Sequence, residues 1–383
     1  MGAINCRYCD DAGNVINAPK ESGTYHVQVS VEENEYYNAV SWLEVGSFTI
    51  SVKESAPSSG GGGGGYSSTT TVINKSEDNT STTTVTNKRT GVVTQTTKTE
   101  NDITATTTTD KNGEITNICV DIPSSVAGNN DTIKLPIDVA PDTNVQINTP
   151  SGGATVEIPV SGITPAHVAV IVDKNGKENV VITSVNTNNG VILTLKSDAT
   201  VKIVDNGKTF SDVAKDAWYA DATAFVSARN IMNGTEQDMF SPEDFTTRAM
   251  IVTTIWRIAG SPKAISDLTF SDVADDTWYT EAVRWAMENG IVTGYTTDTF
   301  APDDLITREQ LTAIIHRYAN SPASNKNLDA FADTDQISDY SKQAMAWAHE
   351  NGIINGYDGR IYPDDTATRA QVAQILMNFL NRI

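Results

Sequence analysis

The amino-acid sequence predicts a multidomain protein in which all-β domains precede an all-α bundle of three repeated units. Two observations predict the helical part: a Thr-Arg pair occurs three times, and helix-like apolar spacing follows it. The β part is predicted by short β-branched or alternating runs, separated by turn residues, before residue 206.

The repeat is defined by Thr247-Arg248, Thr307-Arg308 and Thr368-Arg369, whose arginines are 60 and 61 residues apart. Other features recur at the same step, namely Phe210-Ser211-Asp212-Val213 and Phe270-Ser271-Asp272-Val273, Trp218-Tyr219 and Trp278-Tyr279, and Gly234, Gly294 and Gly356. A period that long, held that closely, indicates a duplicated structural unit.

Each unit is predicted to contain two helices, the first beginning near the Trp-Tyr pair. Ala282, Trp285 and Ala286 are spaced i, i+3, i+4, which puts them on one helical face. Gly290 and Gly352 then supply the left-handed residue that ends many helices.

The second helix is predicted to begin at the repeated threonine. Thr307 and Thr368 are N-cap candidates with Gln310 and Gln371 three residues on, which makes two capping boxes, whereas Met250 breaks the box of the first unit. Because helices of about a dozen residues are marginal alone, the three units are expected to pack on one another.

The motif arginine follows the cap directly, where its positive charge opposes the helix dipole. One interpretation is a surface arginine with a local salt bridge. The other is an arginine aimed at an anionic ligand beside free backbone N–H groups, since a helix N-terminus and a guanidinium together suit a carboxylate or phosphate. The threefold recurrence favours the second interpretation.

From about Thr209 to the end, the chain resembles three consecutive S-layer homology repeats. The resemblance rests on the Phe-Ser-Asp-Val opening, the turns Gly290–Tyr295 and Gly352–Tyr357, the Phe-x-Pro loop and the Thr-Arg motif. It implies a three-pronged bundle with pseudo-threefold symmetry. It also implies secretion to a Gram-positive cell surface and non-covalent binding of secondary cell-wall polysaccharide, typically through pyruvylated sugars.

The resemblance also implies the ligand-binding residues, because in the family the motif arginine meets the pyruvyl carboxylate in grooves between neighbouring units. Aromatic and glycine residues near the motif line those grooves. The predicted set is Arg248, Arg308, Arg369, Asp212, Asp272, Trp218, Trp278, Gly234, Gly294, Gly356, Tyr295 and Tyr357. No catalytic residue, metal site or cofactor is predicted.

Departures from the family pattern rank the three units. The motif glutamate is Met250, Gln310 or Gln371, and the first unit has Asn230 and Thr235 at positions that are Gly and Tyr in the other units. The third unit has Asp339-Tyr340 near the place of the Trp-Tyr pair. Arg308 is therefore expected to matter most for binding and Arg248 least.

The residues before the repeats are predicted to form three regions. Gly23-Thr24-Tyr25 and the later Tyr36-Tyr37-Asn38-Ala39 resemble the back half of a bacterial immunoglobulin-like repeat, with strands at 24–31 and 48–52. A Gly-rich and then Thr-rich stretch has too little apolar content for a compact core and is expected to be a spacer, partly disordered and partly extended β. The predicted limits are 1–54 for the partial repeat, 55–115 for the spacer, 116–207 for a small β domain that forms a rigid neck, and 208–265, 266–326 and 327–383 for the helical units.

Charge and composition exclude several partners. The formal net charge of −21 makes nucleic acid an unsuitable partner. The sequence contains no run of eighteen apolar residues, so no membrane span is predicted. Cys6 and Cys9 have the spacing of half a zinc site or a redox pair, but no second Cys pair or His cluster follows. Met1–Asn14 has no signal-peptide pattern, so we expect the chain to be the C-terminal part of a longer exported product.

Two functions other than wall anchoring remain open. An enzyme is suggested by the acid pairs Asp303-Asp304 and Asp364-Asp365, although acids before a helix cap are more simply explained by the helix dipole. The sequence has no Gly-x-Ser-x-Gly, His-Glu-x-x-His or phosphate-loop motif. A self-assembling surface lattice, with other surface-layer proteins as partners, would need a larger assembly domain.

Overall fold

The computed structural model describes residues 4–10, 15–16, 23–31, 40–50, 69–76, 79–126 and 131–382. They divide into two compact units. The first contains the N-terminal part to residue 161 together with 171–178 and 192–202, and the second contains 162–170, 179–191 and everything from 203 onward.

The first unit begins with four strands that pair in antiparallel fashion: β1 (Ile4–Asp10), β2 (Val15–Ile16), β3 (Gly23–Val31) and β4 (Val40–Ile50). Strand β3 agrees with the prediction, whereas β4 begins eight residues before the predicted strand at 48–52. The second part of the immunoglobulin-like signature, residues 36–39, lies outside the described residues.

The threonine-rich stretch forms a continuous antiparallel meander where it is described. Its strands are β5 (Thr69–Lys75), β6 (Ser81–Asn87), β7 (Val93–Lys98), β8 (Thr104–Thr109) and β9 (Ile115–Asp121). Cross-strand threonine hydroxyls bond each other at 3.2 Å for Thr82–Thr97 and for Thr96–Thr106. Strands β5, β6 and β7 have no buried side chain and are held by ladders and β-branched pairs, whereas β8 and β9 also bury Ala105, Ile118 and Val120.

The region of the predicted small β domain contains short strands, as its β-branched and alternating runs predict. They are β10 (Ile133–Lys134), β11 (Val145–Asn148), β12 (Ala154–Pro159), β13 (His167–Val172), β14 (Glu178–Val180), β15 (Val185–Asn186), β16 (Gly190–Leu195) and β17 (Ala199–Asp205). Within the first unit, one sheet has the order β17-β11-β9-β8-β7-β6-β5-β4-β3-β1-β2, and β10, β12 and β16 are neighbours in another. Strand β9 begins at the predicted boundary and pairs with both β8 and β11.

The second unit contains two helices per repeat, as predicted. They are α1 (Ala220–Ala228), α2 (Arg248–Ile258), α3 (Thr280–Glu288), α4 (Arg308–Tyr318), α5 (Lys342–Glu350) and α6 (Arg369–Leu380). Gly290 and Gly352 follow α3 and α5 at φ of +68° and +64°. Asn230 takes the same conformation at φ of +54°, because asparagine tolerates the left-handed region better than most residues.

The repeats contact one another in cyclic order. The first helix of each repeat packs on the second helix of the preceding one, so α3 contacts α2, α5 contacts α4, and α1 contacts α6. Single β-bridges repeat the order, joining Thr247 to Leu305, Thr307 to Thr366, and Phe245 to Thr368. One apolar core fills the bundle and includes Phe225, Phe240, Phe300, Ile361 and Phe379. No helix in the described part of the chain is long and apolar enough to cross a membrane.

Arg229 joins the first repeat to the segments of the neck that belong to the second unit. Its side chain is fully buried and donates to the backbone oxygens of Ser184 (2.9 Å) and His167 (3.2 Å) and to Asn186 Oδ1 (2.6 Å). The guanidinium also lies 3.7 Å from the Phe225 ring centroid. Burial lowers its pKa to about 9, so it remains charged at neutral pH and is stabilised by oxygen dipoles rather than a carboxylate.

Candidate functional site

The repeated threonines cap the second helices. Each hydroxyl accepts a hydrogen bond at 3.3 Å from the backbone N–H three residues on. Gln310 and Gln371 complete the capping boxes by accepting from the Thr307 and Thr368 N–H groups, as predicted. Met250 removes only the return bond, so the Thr247 cap persists in the first repeat.

The motif arginines are buried rather than exposed. Arg248 and Arg308 are 6% exposed and Arg369 is 8% exposed, so these side chains are not the surface arginines of the first interpretation. None of the three forms a salt bridge with another described residue, which removes the first of the two interpretations for this part of the chain. The side chains reach inward because each guanidinium finds backbone carbonyl partners in the following repeat.

These carbonyl partners are equivalent in the three repeats. The Nε atoms of Arg248, Arg308 and Arg369 donate to the carbonyl oxygens of Phe300 (2.9 Å), Ile361 (3.2 Å) and Phe240 (2.7 Å). The Nη2 atom of Arg308 also donates to Asn355 O at 3.1 Å, and that of Arg369 to Asn233 O at 2.7 Å. The Arg248 guanidinium instead lies 4.4 Å from the Tyr295 ring centroid. Burial lowers the pKa of all three.

The backbone N–H groups at these helix starts are not free, contrary to the prediction. The N–H groups of Arg248, Arg308 and Arg369 donate to the carbonyl oxygens of Asp304, Asp365 and Asp244 at 2.8–2.9 Å. The next N–H groups donate to Pro302, Pro363 and Pro242 at 2.9–3.0 Å. The proline loop of the following repeat thus occupies the helix N-terminus, so these N–H groups are already paired with carbonyl oxygens.

Each motif arginine lies in a groove built from all three repeats. The Arg248 groove, of about 280 Å³, is lined by Arg248, Val292, Thr293, Gly294, Tyr295, Gln310, Ala313, Ile314, Arg317 and Tyr340. The Arg308 groove, of about 350 Å³, is lined by Trp218, Arg308, Ile353, Ile354, Asn355, Tyr357, Gln371, Gln374, Ile375 and Asn378. The Arg369 groove, of about 340 Å³, is lined by Ile231, Met232, Asn233, Gly234, Thr235, Thr246, Met250, Ile251, Thr253, Thr254, Arg257, Trp278 and Arg369.

The three grooves share a plan. One repeat supplies the motif arginine, the next supplies a loop and its second helix, and the remaining repeat supplies an aromatic ring. Those rings are Tyr340, Trp218 and Trp278, which are 52%, 61% and 59% exposed. Neither Asp nor Glu lines any of the grooves, although the chain carries a net charge of −21.

The predicted aspartates contact loop backbone rather than a groove. Asp212 accepts from the N–H groups of Phe240 (2.9 Å) and Ser241 (2.6 Å), and Asp272 accepts from those of Phe300 (2.8 Å) and Ala301 (2.6 Å). Both oxygens of each carboxylate are therefore engaged in holding the loop whose carbonyl receives the arginine. These contacts fit a role in positioning the loop, and through it the arginine, better than the predicted direct contact with a ligand.

The predicted glycines lie where a side chain would collide. A Cβ at Gly294, whose φ is +71°, would lie 2.6 Å from the backbone oxygens of Thr296 and Thr299, and one at Gly234 would lie 2.6 Å from Met239 O. A Cβ at Gly356 would lie still closer to Arg360 O. Gly234 and Gly294 line grooves, whereas Gly356 lies between the lining residues Asn355 and Tyr357.

The predicted aromatic residues are distributed unequally. Tyr295 and Tyr357, both 50% exposed, line the Arg248 and Arg308 grooves, whereas Thr235 occupies the equivalent position in the Arg369 groove. The departures in the first repeat therefore affect the groove of Arg369, not that of Arg248. The low rank of Arg248 assumed that each arginine shares a groove with the loop of its own repeat. Each arginine instead lies against the loop of the next repeat, so that reason for the ranking applies to Arg369.

Sequence reasoning missed a second set of groove residues. Tyr340 was treated as a departure, yet it lines the Arg248 groove where tryptophans line the others. Arg257, Arg317 and Asn378 follow the motif arginines by nine residues and also line grooves. At about 100° per residue, a residue nine positions after the motif arginine lies on the opposite face of the helix. Each second helix therefore lines two grooves. The shared offset was the signal that could have found them.

The comparisons with known proteins agree with the repeat pattern. The S-layer homology domain family matches residues 209–249, 269–312 and 330–373. The chain is 31% identical to "Exoglucanase XynX" of Acetivibrio thermocellus over 55% of this chain and 20% of that protein. It is 32% identical to "Amylopullulanase" of Thermoanaerobacterium thermosulfurigenes over 46% and 10%. It is 26% identical to the "Surface-layer 125 kDa protein" of Lysinibacillus sphaericus over 47% and 16%.

The chain spans a fifth or less of the length of these three relatives. Each family match begins beside a Phe-x-Asp opening and reaches the second helix of its repeat. The C-terminal region therefore consists of three S-layer homology domains, one for each Thr-Arg unit.

Proposed function

We propose that the three domains form a pseudo-threefold bundle that anchors a surface protein to a bacterial cell wall by binding anionic, pyruvylated secondary wall polysaccharide in the three grooves. The observation that carries the proposal is the shared groove plan: a buried arginine with spare N–H donors, an exposed aromatic ring and no carboxylate. The cyclic helix contacts and bridges support the pseudo-threefold arrangement.

The chemistry of the grooves suits a carboxylated sugar. A guanidinium has five N–H donors, and the carbonyl contacts of Arg308 and Arg369 use two of them. The remaining donors can pair with a carboxylate. A neutral sugar has no anionic group and would leave the charge of the guanidinium unpaired. The exposed ring across the groove offers an apolar face to the C–H side of a pyranose, and tyrosine and tryptophan also offer a polar edge.

An acidic chain can bind an anionic wall if attraction is local. Screening at physiological salt limits exposed charges to a range of about 8 Å, so the distant acids of the chain oppose binding weakly. The acid-free linings keep repulsion out of the grooves themselves. We place the protein at the cell surface, in keeping with the relatives named as surface-layer proteins.

The anchored part of the protein is a separate question. Relatives carry names of glycan-degrading enzymes, surface-layer proteins and a "Cellulosome-anchoring protein" from Acetivibrio thermocellus, each matched over only part of its length. Anchoring is the role that proteins with such different names can share through one matched region. A lattice-forming role or an enzymatic cargo would then reside in other parts of those proteins.

Co-sedimentation with purified cell walls tests the proposal. The protein should sediment with walls, lose binding when the pyruvyl groups are removed, and be displaced by free pyruvylated polysaccharide. Equal binding to depyruvylated polysaccharide in a titration would remove the carboxylate from the mechanism. Failure of the folded protein to bind either form would overturn wall anchoring itself.

A further inference from the structure

The charge of the three groove linings differs at one position, nine residues after each motif arginine. Arg317 lines the Arg248 groove and Arg257 lines the Arg369 groove, so each of these grooves contains two arginines. Asn378 occupies the equivalent position in the Arg308 groove, which contains one. With no acid in any lining, two grooves are doubly cationic and one is singly cationic.

A structural role alone does not require arginine at this position. Arg257 and Arg317 donate from Nη1 to the carbonyl oxygens of Ile231 (3.2 Å) and Ile291 (3.4 Å). Asn378 makes the same contact from Nδ2 to Ile353 O at 3.2 Å. Because an amide supports the loop equally well, what an arginine adds here is a charge and further N–H donors.

Those additional donors are available to a ligand. Both arginines are half-buried, and neither forms a salt bridge with another residue in the described part of the chain. Burial lowers the pKa of Arg257, as expected for a cation that has lost water without gaining a carboxylate. In the Arg308 groove the corresponding space is lined by the neutral amides of Gln371, Gln374 and Asn378, which suit sugar hydroxyls.

We propose that the Arg248 and Arg369 grooves each bind a glycan segment with two negative charges, whereas the Arg308 groove binds a segment with one. This inference rests on the proposed function, because it concerns ligands of the same grooves. The second arginine would pair with a second carboxylate or a phosphate on the adjoining sugar. The three grooves would therefore take different segments of one heterogeneous polymer, or different polymers.

Two synthetic probes test this on the full chain: a disaccharide with one pyruvate ketal, and the same disaccharide with an added methyl phosphodiester as its second charge. The variants are Asn378→Arg, which adds the missing cation, and the double variant Arg257→Asn with Arg317→Asn, which removes the other two but can keep the loop contact. Calorimetric titration gives affinity and stoichiometry, and circular dichroism gives the folded state.

The wild type should bind the doubly charged probe about tenfold more tightly at two grooves than at the third, since one added charged contact is worth about that factor. Asn378→Arg should make all three grooves prefer that probe, and the double variant should abolish the preference. In each variant, affinity for the singly charged probe should change less than affinity for the doubly charged probe, because only the latter carries the second charge.

If the wild type binds both probes but the folded double variant keeps the same preference, the second arginines only support loops and the inference is wrong. The double variant tests the inference even if Asn378→Arg does not fold. If the folded wild type binds neither probe, the proposed function fails and this inference fails with it.

Discussion

At the scale of single residues, each motif arginine has two functions that the geometry combines. Its Nε holds the proline loop of the next repeat, and its remaining donors line a groove. A buried cation with only dipolar partners costs solvation energy, which an anionic ligand would recover. Under the proposed function, the burial that stabilises the interface between repeats would also strengthen the attraction for a negative charge.

Arg308→Ala should therefore weaken both folding and glycan binding. It removes donors to Ile361 O and Asn355 O, and the loss of hydrogen bonds from a charged group costs about 1.5–3 kcal/mol of unfolding free energy. Binding in that groove should fall about ten- to a hundredfold. Arg308→Lys should recover only part of either, because lysine lacks the planar fork. Urea unfolding and calorimetry measure the two effects, and an unchanged midpoint would show that the carbonyl contacts contribute nothing.

The exposed groove aromatics should separate binding from folding. Trp218→Ala and Trp278→Ala should lower affinity about three- to tenfold, because each ring lines a groove while staying mostly in solvent. Their melting temperatures should stay near that of the wild type. Ile265→Ala is the matched control, since Ile265 is 92% exposed and outside all three linings. A similar affinity loss in that control would remove the rings from the site.

At the scale of elements, Glu309 links α4 to the start of α5. Its buried carboxylate accepts from Ser338 N (2.9 Å), Ser338 Oγ (2.7 Å), Ser341 Oγ (2.7 Å) and Tyr340 Oη (2.9 Å). The equivalent residues in the other repeats are Ala249 and Ala370. Glu309 thus fixes the orientation of Tyr340, which lines the Arg248 groove where Trp218 and Trp278 line the other two.

This contact should make stability depend on pH. Burial alone would raise the pKa of Glu309, but the hydrogen bonds from Ser341, Ser338 and Tyr340 outweigh it and hold the pKa below its ordinary value of 4.5. Its contribution is therefore fully present above pH 4.5 and is lost as the pH falls through the lower folded-state value. Glu309→Gln should cost about 1–3 kcal/mol at pH 7. Urea unfolding from pH 7 to 3 should show that cost shrinking, and a constant difference would contradict the assignment.

At the scale of the whole molecule, the groove residues all follow residue 209, so we expect a fragment of residues 209–383 to keep wall binding. The same cut removes the partners of Arg229 at Pro165, His167, Ser184 and Asn186. The fragment should therefore unfold more easily than the full chain, by about 1–3 kcal/mol. The earlier residues contribute stability to the first repeat without contributing groove residues.

A double-variant comparison isolates that contribution. Arg229→Ala should destabilise the full chain more than the fragment, because only the full chain has the oxygens that this side chain bonds. Thermal unfolding of the four proteins measures the difference. An equal effect in both backgrounds would mean that Arg229 acts only within α1 and its own turn.

Local rules were sufficient for the repeats. The threonine caps, the capping glutamines and the left-handed glycines report interactions within a few residues, and the helices begin and end near the predicted positions. The β-strands after residue 150 followed in the same way from β-branched runs. The threonine-rich meander is predicted only in part, as a spacer with some extended β structure. That prediction rests on low apolar content, which gives no information about threonine pairing between strands.

The sequence by itself determined which residues recur, and therefore the three helical pairs and the three motif arginines. Only the tertiary structure decided what surrounds those arginines. Each groove joins residues from three repeats, up to 136 positions apart as in the Asn233–Arg369 contact, and local spacing carries no information about such meetings. Burial, the occupied helix starts, Tyr340 and the second arginines all follow from cyclic packing, because packing rather than chain order determines which side chains share a groove.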